Sequence, residues 1–484
     1  MGACCTNSQG LITETVSYEN LKIISIKEKD AKGKVLRSDD VTVSLTYPSY
    51  QHHEKITLDK MLFEFSSCVI PGLDPRALIN KECQDAVFYT SNESAILVGL
   101  FDGHGKEGQK VSHFCCRYMR EYFQERSGEM IAKPEESIDN IIEECDRALR
   151  DKSSGIEAGL SGTTALVMLI TVDGYHVGSV GDSRAILATL PPPGVPVETP
   201  PPSTNKYIRQ IEPIRLLKTV PLSVDQKPNH EAELKRIEKS GGTVRQLTDD
   251  YGNKIGPFRV WQKNGVLPGL AMSRSIGDGV AKEIGVIATP VYHFFPHIKF
   301  RDQFIVISSD GVWDVFENIE VINFVERFRK KCFKGIGPKP YPHRLENSSI
   351  SQLTAEEARY RWFGICEDED VMIDDISVII IEVGNIEPQP MQLPPVSVKR
   401  KTVHMNIVAE IIQDRDVTSA APRGDLMRGS FIPANDPKAK KARLDPKRGS
   451  YVAKEEKKSS SEGEDEETEG IEGIPFVNTE INKP

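Results

Sequence analysis

No apolar run in the 484-residue sequence is long enough to cross a bilayer, which excludes a membrane-spanning helix. A basic start followed by an apolar segment is also missing, so no secretory leader is expected. The nine cysteines form no Cys-x-x-Cys pair and no regular spacing, and an odd number cannot all pair within one chain. They read as mostly reduced thiols in a cytosolic setting. Basic residues are outnumbered, 61 Lys and Arg against 71 Asp and Glu, for a net charge of -10. That balance argues against a chain-wide nucleic-acid surface, though local basic patches stay open. The common catalytic signatures are absent too. There is no serine nucleophile elbow, Walker loop, His-Glu-x-x-His, dinucleotide fingerprint or Cys-x₅-Arg phosphate loop.

What is present is enough chain for a large core, with 38% hydrophobic and 27% charged residues. The start, Met1-Gly2-Ala3-Cys4-Cys5-Thr6, fits N-myristoylation at Gly2 with palmitoylation at Cys4 and Cys5. One myristoyl chain binds a membrane only marginally, so the second acyl chain matters. Residues 1–60 read as a lipidated extension with short strands at Leu21–Ile26 and Val41–Leu45. From about 386 the composition shifts to prolines, then basic clusters (Lys399–Lys401, Lys438–Arg443), then the serine-acidic block Ser459–Glu469. This reads as a disordered tail. Its basic clusters are better read as solvated charge than as a nuclear import signal.

Between these ends a theme recurs: an apolar strand stops at a carboxylate beside glycine. Leu97–Phe101 runs into Asp102-Gly103-His104-Gly105, and Phe304–Ile307 runs into Asp310-Gly311. Gly181-Asp182 and Gly277-Asp278 repeat the pair, Asp85 sits at a strand edge, and Asp374-Asp375 opens the apolar run Ile376–Ile381. Residues 107–126 and 135–150 carry apolar side chains at helical spacing and read as core helices. A proline-rich insertion spans about 190–205. Any one of the aspartates reads as an ordinary turn former; the six together do not. If their strands share a sheet end, the carboxylates converge and need cations to stay ionised. All-oxygen ligation suits Mg²⁺ or Mn²⁺ rather than zinc. Two such ions suit phosphoester hydrolysis.

The motif order resembles the metal-dependent (PPM, type-2C) serine/threonine protein phosphatases over roughly residues 60–385. The resemblance rests on Gln84-Asp85, Asp102-Gly103-His104-Gly105, Ser161-Gly162-Thr163-Thr164-Ala165, Gly181-Asp182-Ser183-Arg184-Ala185, Asp225-Gln226-Lys227-Pro228, Ser273–Asp278, Asp310–Asp314 and Asp374–Val378. It implies an α+β fold, a four-layer αββα sandwich of two central antiparallel sheets flanked by helices. It further implies one Mg²⁺ or Mn²⁺ on Asp85, Asp102 and the Gly103 carbonyl, and a second on Asp102, Asp310 and Asp374. Asp182 and Asp314, and less directly Asp278, match positions around a weaker third ion. A water or hydroxide bridging the two ions would attack phosphorus directly, with His104 as the general acid.

Three departures from the family pattern stand out. Gln84 replaces a frequent Glu, Asp225-Gln226 replaces Asp-His, and the phosphate-binding Arg has only Arg76 and Lys81 as candidates, Lys81 nearer in register. Residues from about 330 to 362 are assigned to the variable flap. The expectation is therefore a monomeric phosphatase of phosphorylated proteins, held at the cytoplasmic face of a membrane, with no nucleic-acid partner. A non-catalytic phosphoprotein-binding relative is the alternative, disfavoured because the core ligands are all present. A small-molecule phosphatase is not excluded by the carboxylates themselves.

Overall fold

The computed structural model describes residues 14–29, 35–74, 79–195, 211, 213–249, 251–331, 348–368 and 372–386. Gly2, Cys4, Cys5, Arg76, most of the proline-rich insertion and the tail lie outside them.

Two sheets of seven strands each form the centre. The first runs Glu14–Lys29, Val35–Leu58, Met61–Ile70, Ile376–Asn385, Asp302–Ser308, Arg184–Thr189, Lys218–Pro221. The second runs Ile276–Gly277, Gly162–Thr163, Ile96–His104, Ala165–Ile170, Gly174–Val180, Val291–Pro296, and Asp85–Ser91 also pairs with Ile96–His104. The ladders within both are antiparallel.

Alternation along the strands explains the layering. Ile305, Ile307, Ile379 and Ile381 turn inward and meet Val98, Leu100, Leu166 and Met168 of the other sheet. Their neighbours Phe304, Val306, Val378 and Ile380 turn outward, under helices Asn318–Arg329 and Ile350–Asp368. On the far side Leu97, Phe101, Val167 and Leu169 lie under helices Gly108–Ala132 and Pro134–Arg150. Fully burying each such side chain contributes about 2 kcal/mol. The result is the αββα sandwich that the motif order implied.

Two elements differ from expectation. The N-terminal strands are 16 and 24 residues long rather than short. Their ladder crosses polar positions such as Ser25 opposite Asp40, because backbone hydrogen bonds do not depend on the side chain. Tyr50–Leu58 also pairs with Met61–Val69, so the expected boundary after residue 60 falls inside a hairpin.

The largest correction concerns the flap. Of residues 330–362, those from 350 onward belong to a core helix in which Leu353, Ala355, Ala358 and Trp362 are buried. Its charged residues mislead because they are buried as well. The Arg359 guanidinium donates to Pro71 O at 2.8 Å, and Arg361 donates to Glu357 at 3.0 Å and lies over the Phe316 ring. A separate three-stranded sheet, Gly242–Thr248, Lys254–Gln262 and Pro268–Leu270, stands outside the sandwich instead.

Candidate active site

The aspartates meet at one end of the sandwich because antiparallel strands deliver them there. Asp85 and Asp102 are a cross-strand pair. Asp102, Gly103 and His104 remain in the strand rather than in a turn, since Gly103 and His104 pair with Thr163 and Gly162. The turn comes at Gly105, whose φ of 85° is the left-handed region that glycine tolerates. Gly103 is required for a different reason. A Cβ there would stand 2.5 Å from both Gln84 O and Gly108 O.

The other sheet contributes Asp310 and Asp374. Strand Asp302–Ser308 ends just before Asp310 opens a short helix, and Asp374 lies two residues ahead of Ile376–Asn385. Trp362 fixes that helix by donating its indole N–H to Gly311 O at 2.7 Å. Ser309 Oγ ties the sheets together, donating to Asp85 Oδ2 at 2.9 Å and accepting from Ser377 N at 3.1 Å.

Burial and mutual repulsion set the charges. Burial, then Asp85, Asp310 and Asp374, push the Asp102 carboxyl well above the usual range. Burial and then Asp314 and Asp182 do the same to Asp310. Asp85 is pushed up to about 7 by burial and then by Asp375. Asp314 also reaches about 7, burial outweighing the pull of Lys227. Asp374 is the exception. Burial would raise it, but Lys81, donating to Oδ1 at 2.9 Å, holds it below the usual carboxylate value.

A cluster of this kind fits divalent cations. Asp85 Oδ1 and Asp182 Oδ1 are buried and accept no hydrogen bond among the described residues. The surrounding donors are oxygen, the preference of Mg²⁺ and Mn²⁺. Even so, among the described residues no three His, Cys, Asp or Glu side chains already stand in ligand geometry. The reason is visible in the contacts: Asp374 is turned onto Lys81, Asp182 onto Lys227 at 2.5 Å, and Asp85 onto Ser309.

His104 stands beside the cluster. Its Nε2 is 2.8 Å from Asp278 Oδ2, which also accepts from Ser275 Oγ at 2.6 Å. Burial disfavours the imidazolium, but Asp278 outweighs it and raises the His104 pKa. The opposite ring nitrogen, Nδ1, is buried with no partner among the described residues. Asp278, a candidate third-ion residue by resemblance, is thus engaged by His104 rather than turned to Asp182 and Asp314.

Three residues to which the sequence assigned no role in the site brace it. Asp375 accepts from Gly72 N and from Gln84 N, the latter at 2.8 Å, and so clamps the loop bearing Lys81 against Asp374. Arg184 binds Asp225 with two nitrogens, at 2.9 and 2.6 Å, and donates to Asn318 at 2.7 Å. Gln226, in the place of a frequent His, accepts from Gly181 N at 2.6 Å and donates to Ser179 Oγ at 3.2 Å. The doublet Asp374-Asp375 was the only signal for Asp375; nothing in the sequence says which of two adjacent carboxylates faces inward.

A family model described as Protein phosphatase 2C matches residues 61–358. Among curated relatives, Probable protein phosphatase 2C 34 of Arabidopsis thaliana is 33% identical over 255 residues, 49% of this chain and 63% of that protein. Probable protein phosphatase 2C 65 of Arabidopsis thaliana is 28% identical over 347 residues, 67% of this chain and 78% of that one. Among solved structures, a serine-threonine phosphatase 2C from Toxoplasma gondii aligns with a TM-score of 0.50 at 16% identity, covering 70% of this chain and 99% of that one. That last likeness bears on the fold alone.

Proposed function

This chain belongs to the protein phosphatase 2C family, the metal-dependent serine/threonine phosphatases that use Mg²⁺ or Mn²⁺, and we propose that it hydrolyses phosphoserine and phosphothreonine esters of proteins at its aspartate cluster. The observation that carries this reading is the meeting of Asp85, Asp102 and Asp310 at one end of the sandwich, each raised by burial and then by neighbouring aspartates, with Lys227 offsetting this only in part at Asp310. Asp85, Asp102 and the Gly103 carbonyl would hold one ion; Asp102, Asp310 and Asp374 would hold the second. Bound there, the ions supply a water acidified toward neutral pH and neutralise phosphate charge.

The chain's own groups do the rest. His104, kept protonated by Asp278, gives its proton to the departing serine or threonine oxygen, which is a poor leaving group as an alkoxide. Lys81, once Asp374 turns to an ion, is free to hold a phosphate oxygen. Asp375 keeps the Lys81 loop in place for that role. We also place the chain at a cytoplasmic membrane face through acylation of Gly2, Cys4 and Cys5. A Gly2→Ala variant that still fractionates with membranes would refute this.

The substrate class is tested by phosphate release from phosphoserine, phosphothreonine and phosphotyrosine peptides and from small phosphate esters, with Mn²⁺ and with EDTA. Release from the first two that is lost in EDTA is expected. Preference for the small esters, or full activity in EDTA, would overturn the reading.

A further inference from the structure

Beside the four inner carboxylates stands an outer pair, Asp182 and Asp314, which is built around a lysine. Lys227 Nζ donates to Asp182 Oδ2 at 2.5 Å. Burial disfavours its charge, yet Asp182, Asp225, Asp314 and Asp310 together hold the ammonium protonated well above the usual lysine range. Lys227 is one of the groups that pull the Asp314 carboxyl down against burial.

This lysine is not a loose surface side chain. Only about a quarter of its side-chain surface is open to solvent, at 26%. The residue before it is locked. Gln226 exchanges hydrogen bonds with Gly181 through both its backbone and its side chain, and its carbonyl accepts from Ser273 N and Oγ at 2.9 Å. The Arg184 guanidinium occupies Asp225 with both carboxylate oxygens. Lys227 is therefore presented to Asp182 from a fixed turn, across from an Asp182 oxygen, Oδ1, that is buried and accepts nothing among the described residues.

We propose that Lys227 is the resident cation of the Asp182–Asp314 pair, and that a divalent ion can bind these two carboxylates only by displacing its ammonium. The proposal rests on the reading of the aspartates as ion ligands given above. Lys227 thereby sets the outer position weaker than the inner ones. Lys227 is in direct contact with Asp182 of the outer pair, whereas the direct lysine contact of the inner four is that of Lys81 with Asp374. An ammonium and a divalent ion a few ångströms apart in a partly buried site repel strongly, so they do not occupy the pair together. Occupation of the outer position becomes a competition between a tethered monovalent group and free metal. It responds to metal concentration in a range where the inner ions are already bound.

The test is a Mn²⁺ titration of the metal-depleted full chain, with the free-ion signal read by electron paramagnetic resonance. In Lys227→Met the outermost Mn²⁺ is expected to bind about tenfold more tightly or better, while the inner two keep their affinity. Lys227→Arg, which keeps the charge, is expected to stay near the unaltered chain. Adding Asp182→Asn to Lys227→Met should remove the gained ion. Should Lys227→Met fail to fold by circular dichroism, Lys227→Gln reads the same point. Unchanged or weaker outer binding in a folded, charge-free variant would overturn the proposal and make Lys227 a support for the ion. Binding is read without turnover. A chain that gains the ion but releases no phosphate would overturn the phosphatase reading and leave this one standing.

Discussion

Asp85 and Asp102 face each other across two antiparallel strands, and both carboxyls are held above their usual range. A register shift of one residue would turn one of them to the opposite face of the sheet and undo the pair. The carboxylates therefore oppose the fold that brings them together, and four predictions follow from how that opposition is met.

Without metal, stability should fall as pH rises. A carboxyl whose pKa is raised on folding binds its proton more tightly in the folded state. Its stabilising contribution is complete below the ordinary carboxylate range and is lost as pH passes the folded value, about 7 for Asp85 and Asp314. His104, raised by Asp278 against burial, adds in the same direction. Asp374, lowered by Lys81, works the other way, but at acid pH. The melting temperature in EDTA should drop between pH 6 and pH 8, and Mn²⁺ should raise it more at pH 8 than at pH 6. A flat profile in EDTA would refute the charge assignment.

His104→Asn should separate substrates by leaving group. Loss of a general acid costs about 10²- to 10⁴-fold on a serine ester, whose oxygen needs the proton. An aryl phosphate, with an acidic phenol as leaving group, should lose far less under the same conditions. Equal losses on both would remove His104 from the proton-donor role.

Lys81→Met should weaken phosphate binding by about 10- to 100-fold, the scale of a charge-assisted hydrogen bond. The effect should show in KM and in inhibition by inorganic phosphate, with a smaller change in kcat. If phosphate inhibition is unchanged, Lys81 serves Asp374 alone.

Gly103→Ala should cost about 1–3 kcal/mol in urea unfolding, because its Cβ would press on two backbone carbonyls that cannot move aside. A neutral result would mean that the loop Gly105–Gly108 yields easily.

The site was legible in the sequence where strand and glycine punctuate each other. Asp85, Asp102, Asp310 and Asp374 were readable because each ends or opens an apolar run, whereas the sandwich itself was expected only from the resemblance in motif order. Partnership between distant side chains was not readable. Nothing in Ser273–Asp278 says that Asp278 reaches His104, 174 positions away. Nothing in Asp225–Pro228 says that Lys227 reaches Asp182 while Gln226 braces Gly181. Helix Ile350–Asp368 misled for a physical reason: its arginines and glutamates are buried against one another, so its polarity looks like a surface.

The most direct test is phosphate release from a phosphothreonine peptide in Mn²⁺ by the unaltered chain and by Asp310→Asn, with Mn²⁺ binding measured on both. Asp310 is a shared neighbour of Asp102, Asp314 and Asp374, and the asparagine keeps its shape while removing one ligand charge. The account predicts that the variant stays folded, binds less Mn²⁺ and loses turnover, while the unaltered chain is active and is silenced by EDTA. A variant that keeps full Mn²⁺-dependent turnover, or an unaltered chain indifferent to EDTA, would contradict it.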